Sequence, residues 1–327
     1  MAFWIWALTG DAPRASHALL LAEQGTFDGP MPDGSVSLTA AVARARAALA
    51  RDGVDAMLGD AELAVRLQPP GSDWHTMASL LLGVAHLLRG HSEEAVRALA
   101  QAALFGRGEQ LPGASFALGL RALMAADAGD WGTAAACARD ARQLVDAADL
   151  WGNLTSLSAY AASARVALHR GETQHALNET KEALRLYRAP SPTALPWLAV
   201  MSAVALGRLL HELGDLPGAE EMLTDARRYL AVLPTHGTLS WEVDTLAAAL
   251  ESRTRRDDAA DVTGLTSAEL RVLRLLPTHH SLGEMGADLG VSRNTVKSQV
   301  AAIYRKLDVA TRAEAVRRAQ ELGLLPL

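Results

Sequence analysis

The sequence predicts an all-α protein, a solenoid of helical hairpins followed by a small four-helix domain. Three observations predict it. Ala and Leu together exceed a third of the 327 residues whereas Ile occurs only twice, at Ile5 and Ile303. That composition favours helix, because Ala and Leu lose little on entering one and strands prefer β-branched residues. Over the first three quarters of the chain a Gly recurs with a small residue five and twelve positions later. In the last 63 residues three hydroxyl-x-x-Glu runs mark helix starts.

Formal net charge is −6, which by itself argues against a generally basic nucleic-acid coat. The charge is unevenly placed, with +2 on residues 261–327 and −8 on residues 1–260. The one cysteine, Cys137, can neither close an internal disulfide nor supply a thiolate metal site, and reads as a small buried apolar group in a reducing cytoplasm. The apolar start MAFWIWALTG has no basic leader and runs into Asp11 and Arg14, so no signal peptide is expected. Pro196, Ser202, Gly207 and Arg208 keep the apolar run from Leu195 short of the roughly 18 residues of a membrane span. A cytoplasmic protein with no membrane partner is expected.

The first elements are the repeats. Clear copies are Gly90/Ala95/Ala102, Gly129/Ala134/Ala141, Gly171/Ala176/Ala183 and Gly214/Ala219/Ala226; Gly10/Ala15/Ala22 fits as well, and Gly53/Leu58/Val65 is degenerate. The glycines are 43, 37, 39, 42 and 43 residues apart, one helix–turn–helix unit per repeat. Gly ends the first helix in a left-handed conformation, and Asp130 or Asp215 just after it can cap the second. Ala at +5 and +12 lies on one helical face where neighbours approach closely. These features, clearest from Leu82-Gly83 through Gly90 to Ala102, resemble tetratricopeptide-type repeats; the longer period is more like the sensor arm of MalT-like regulators. The resemblance implies a sensor or interaction domain over residues 1–250. Trp74, Trp131, Trp151, Trp197 and Trp241 occur about once per repeat, and core packing is the reading preferred over a ligand cage. Residues 251–264, ESRTRRDDAADVTG, alternate in charge and read as a linker.

From Leu265 four short helices follow. Thr266 with Glu269, Ser281 with Glu284 and Thr311 with Glu314 are capping boxes. The first helix stops near Leu276, ahead of Pro277; the second spans Leu282 to Leu289 and ends at Gly290; the third is capped by Ser292 and runs to Leu307. A helix of about eight residues, a tight turn and a longer polar helix have the proportions of a helix-turn-helix DNA reader. At about 100° per residue Val296, Val300, Ile303 and Leu307 form an inward stripe, opposite Asn294, Ser298, Ala301 and Arg305, with Lys297 on the flank. Small and donor-bearing side chains on that face suit a major groove.

The run from Leu265 to Leu325 resembles the LuxR-type helix-turn-helix family, most specifically in Leu265-Thr266 with Glu269, Ser292 to Lys297, Tyr304 to Leu307 and Arg312 to Ala315. The resemblance implies a DNA-binding domain over residues 265–327 whose partner is double-stranded DNA. It implies base contacts by Lys297, Ser298 and Ala301, to which the polar face adds Asn294. Thr295, Ser292, Arg293, Arg305 and Lys306 would hold the DNA backbone. The final helix would pair two copies, giving a homodimer through Arg312, Val316, Ala319 and Leu322. Three residues depart from the family: Gln299 stands at a common His, Asp308 at a usual Gly, and Met285-Gly286 at a typical Ile-Ala.

No G-x-x-x-x-G-K-[ST] phosphate cradle occurs, although MalT-like regulators normally carry one ahead of the repeats. No catalytic constellation, metal site or cofactor is expected: His279-His280 have no nearby Cys and no i, i+4 partner. The main expectation is a transcription regulator whose array receives a protein or small-molecule signal. The alternative is a helical-repeat interaction scaffold whose C-terminal domain is not a sequence-specific DNA reader.

Overall fold

The computed structural model describes residues 2–106, 111–189 and 194–325, and among them every regular element is helical. The chain divides into two compact units, residues 1–246 and 247–327. In the first unit, helices pair as hairpins: α1 (Ala2–Leu8) with α2 (Ala12–Gln24), α3 (Leu38–Leu49) with α4 (Val54–Leu67), and α5 (His75–Leu88) with α6 (Ser92–Phe105). Next come α7 (Leu111–Asp127) with α8 (Trp131–Ala147), α9 (Leu157–His169) with α10 (Thr173–Arg188), and α11 (Pro196–Leu213) with α12 (Leu216–Leu230). The first helices of successive hairpins touch in series, so each hairpin covers the apolar face of its neighbour.

Each repeat glycine sits in the turn of its hairpin, all six with φ between 74° and 91°, a region costly for any side chain. In five copies the next amide turns back on the finished helix at 2.9 Å: Asp11 to Trp6, His91 to His86, Asp130 to Ala125, Glu172 to Ala167 and Asp215 to Leu210. This bond satisfies a carbonyl the helix end would leave orphaned. Asp130 and Asp215 then cap the second helix, accepting from Thr133 N (3.0 Å) and Gly218 N (3.1 Å) as expected. The +5 and +12 alanines of the four clear copies are fully buried.

The degenerate copy departs in a way the sequence did not show. Helix α3 ends on Ala50, itself left-handed (φ 46°), and Gly53 occupies the N-cap position of α4. The second helix therefore starts one residue early, and Met57 and Ala64 are fully buried in place of the expected Leu58 and Val65, which are half-buried. A glycine has no side chain with which to cap. Thr235, 180 residues away, does so instead, its carbonyl accepting from Val54 N (3.3 Å) and its Oγ1 from Asp55 N (3.2 Å).

Thr235 belongs to a strap, residues 232–238, that follows α12 and crosses to the early repeats. Thr238 N donates to Leu88 O at 2.7 Å, at the C-terminal end of α5. The indole of Trp197 in α11 donates to Ala48 O in α3 at 2.6 Å. The array thus closes on itself, late elements capping early ones. Of the tryptophans read as core, Trp197 is buried; Trp74 and Trp131 are half-buried, and Trp151 (49% exposed) and Trp241 (64%) face outward.

Helix α13 (Leu239–Thr263) follows the strap directly, and residues 251–263 of the charged stretch read as a linker form its C-terminal half. The side chains of residues 256–262 and the last two residues of the expected DNA-binding domain, 326 and 327, lie outside the described residues. Beyond Gly264 come α14 (Ser267–Leu275), α15 (Leu282–Leu289), α16 (Arg293–Leu307) and α17 (Arg312–Glu321), with boundaries close to those expected. Val296, Val300, Ile303 and Leu307 are all buried, packed with Leu273, Met285 and Ala315 into one core.

Candidate nucleic-acid interface

The interface begins with the turn that sets α16 against α15. Ser281 and Glu284 close a capping box (Ser281 N to Glu284 Oε2, 2.7 Å) that starts α15, and Gly290 ends it with φ 66°. Val291 N donates back to Gly286 O at 2.9 Å. A Cβ on Gly286 would stand 2.7 Å from Val291 O, so the glycine that departs from the family's usual Ala costs helix propensity but lets the turn close so tightly. Ser292 Oγ then accepts from Thr295 N at 3.1 Å and shares a hydrogen bond with Thr295 Oγ1 at 2.8 Å, starting α16 with its amide dipoles pointing outward.

Asn294, Lys297, Ser298, Ala301 and Arg305 are all exposed, on the face opposite the buried stripe. The Ser298 hydroxyl donates to Asn294 O at 3.0 Å, which holds it in place and leaves its lone pairs outward. Ser292, Arg293 and Thr295 are exposed at the head of the helix. Arg293, Lys297 and Arg305 have no ion-pair partner among the described residues, whereas Arg317 and Arg318 both lean on Glu321. Uncommitted cations, small residues and amide-type donors on one helical face are what groove and phosphate contacts require. The helix start adds exposed amides suited to a phosphate oxygen.

Three of the residues expected at the DNA or at a dimer contact are engaged inside the domain. Lys306, expected on the DNA backbone, donates its ammonium to Glu269 Oε2 at 2.7 Å, the same oxygen that accepts from Thr266 N. It belongs to the capping box of α14. Burial raises the Glu269 carboxyl, but the Lys306 ammonium and the Thr266 bonds outweigh it and hold the group below the usual carboxylate range. Arg312, expected at a dimer contact, is turned inward: its guanidinium donates to the carbonyls of Leu276 (2.7 Å), Thr278 (2.5 Å) and His280 (2.9 Å), satisfying the end of α14. Ala319 is fully buried in the domain's own core and presents nothing to a second copy. Val316 and Leu322 are half-buried against that core. Glu269 was legible only as a cap, since nothing local pairs it with a lysine 37 residues on.

Comparison with known proteins agrees with this geometry. Residues 263–319 match the family described as bacterial regulatory proteins, luxR family. The HTH-type transcriptional activator RamA of Corynebacterium glutamicum is 39% identical over 64 residues, 20% of this chain and 23% of RamA. The transcriptional regulatory protein YdfI of Bacillus subtilis is 40% identical over 65 residues, 20% of this chain and 30% of YdfI. The chain thus spans less than a third of the length of these curated relatives. With its four helices, its tight turn and its matched segment, the C-terminal part of the chain is a helix-turn-helix domain of the luxR family.

Proposed function

We propose that this protein is a DNA-binding transcription regulator, reading promoter DNA in the major groove through α16 and receiving a protein or small-molecule signal on its tetratricopeptide-like array. The observation that carries the proposal is the exposed face of α16, where Arg293, Lys297 and Arg305 stand without carboxylate partners among the described residues, in an otherwise acidic chain. In this reading Lys297, Ser298, Ala301 and Asn294 approach bases, and Ser292, Thr295, Arg293 and Arg305 hold phosphates. A homodimer would form on the outer side of α17, with Val316 and Leu322 rather than Arg312 and Ala319. The two relatives are described as transcriptional regulators, and that description supports the class.

A gel-shift series of the full chain against the DNA upstream of its own gene tests the reading. Binding is expected to weaken steeply with salt, and Lys297→Ala is expected to cost about 1–3 kcal/mol while relaxing specificity locally. Binding that is absent, or indifferent to Lys297→Ala, would overturn it in favour of an interaction scaffold.

A further inference from the structure

Beneath the strap the first helices of the array do not pack fully. They line a half-open cavity of about 110 Å³ whose wall is formed by α5, α7, α9, α11 and the first turn of α13, mostly leucine and methionine, among them Leu87, Leu120, Met124, Met201 and Val204. Packed interiors hold few voids larger than a water molecule, and a concave, mostly apolar pocket of this order suits a ligand body about the size of one aromatic ring. Its edge carries two ion pairs, Asp127 with Arg165 (2.8 Å) and Glu242 with Arg208. In both the guanidinium is the less exposed partner, Arg165 at 19% against Asp127 at 48%, and Arg208 at 23% against Glu242 at 28%. All four side chains line the cavity, so at its edge each guanidinium is held by a carboxylate that an incoming anion can replace.

Resting on the reading of the array as the signal-receiving part, we propose that this cavity is the effector site and that it takes a small monocarboxylate with an apolar body of about six carbons, aromatic or aliphatic. The apolar body fills the void, and the carboxylate replaces Glu242 on the Arg208 guanidinium, which is built for bidentate carboxylate pairing. Glu242 lies in the first turn of α13, its amide bonded to Thr238 O at 3.1 Å, and Thr238 is the strap residue bonded to Leu88. An occupant thus changes what anchors the start of the helix that runs to Thr263, at the threshold of the helix-turn-helix domain. This placement supplies the differential contact that a ligand-driven shift requires.

The test uses the full chain with benzoate and hexanoate as probes, and benzyl alcohol as a neutral counterpart, against chloride at equal ionic strength. Saturable calorimetric binding of the two carboxylates is expected. Ala205→Leu, which fills the cavity from α11, should abolish binding of all three probes without lowering the melting temperature. Arg208→Gln should weaken the carboxylates at least about tenfold and leave benzyl alcohol unchanged. Saturating benzoate should change the DNA affinity of the full chain at least about threefold, and Ala205→Leu should remove the change. Absence of saturable carboxylate binding, or binding indifferent to both variants, overturns the site. Binding with unchanged DNA affinity overturns the coupling through α13. A chain that binds benzoate but no DNA overturns the regulator reading instead and leaves the site standing.

Discussion

At the scale of single residues, two lysines nine positions apart do different work. Lys297 is exposed and has no ion-pair partner among the described residues, whereas Lys306 closes on Glu269. Lys306→Met is therefore expected to lower the stability of the domain by about 1.5–3 kcal/mol, the range for a hydrogen bond to a charged group, while the salt dependence of DNA binding stays unchanged. Lys297→Ala should do the reverse, with an unaltered melting curve and weaker binding; equal effects of the two on the salt slope would contradict the assignment. Asp308, standing where the family usually has Gly, ends α16 with φ 54°. Asp308→Gly removes a left-handed penalty of about 1 kcal/mol, part of which returns as lost entropy in the unfolded glycine. A rise of a few degrees in the melting temperature is the expected outcome. The left-handed site could be suspected from the family pattern, because a helix end is a local event. The destination of Lys306 could not, since a helical wheel places it only on the flank and its partner comes from another element.

At the scale of elements, three of the four helices of the C-terminal domain start with a reciprocal box. Glu284 is held below the usual carboxylate range mainly by its bond to the Ser281 backbone, Glu314 mainly by that to Ala310, and Glu269 by Lys306 and Thr266 against its burial. A carboxyl depressed in the folded state adds stability that is complete above its unfolded pKa and disappears as the pH falls through the folded one. Acid unfolding of this domain is therefore expected below about pH 4. Glu269→Gln should flatten the slope there, as measured by circular dichroism across a pH series. In the array, the strap is the element to probe. A Cβ on Gly237 would meet Leu88 O at 2.0 Å, with φ at 54°. Gly237→Ala should lower the array's urea midpoint, whereas Gly129→Ala, where nothing lies within 4 Å, should cost only its left-handed strain. The capping boxes and the glycine turns were readable because each is written within a few consecutive residues. The one-residue shift of the second repeat was not, because its cap arrives from the strap.

At the scale of the whole molecule, the chain resolves into two compact units, and the second carries its own core. A fragment of residues 264–327 is expected to keep its helical circular dichroism and bind DNA with the salt sensitivity of the full chain; an unfolded fragment would show that the array is needed for folding. The two-part organisation was already visible in the charge, −8 on residues 1–260 and +2 beyond. The sequence by itself determined the helical class, the period of the repeat, the start and stop of the C-terminal helices and the polar face of α16. All of these depend on contacts between residues close in the chain, where periodicity and caps leave a direct trace. Only the tertiary structure decided that the array closes through a strap, that a cavity lies beneath it, that Lys306 and Arg312 are spent inside the domain, and that Trp151 and Trp241 face outward. Each of those outcomes depends on which elements meet across tens to hundreds of residues, and packing between distant elements leaves no period in the sequence.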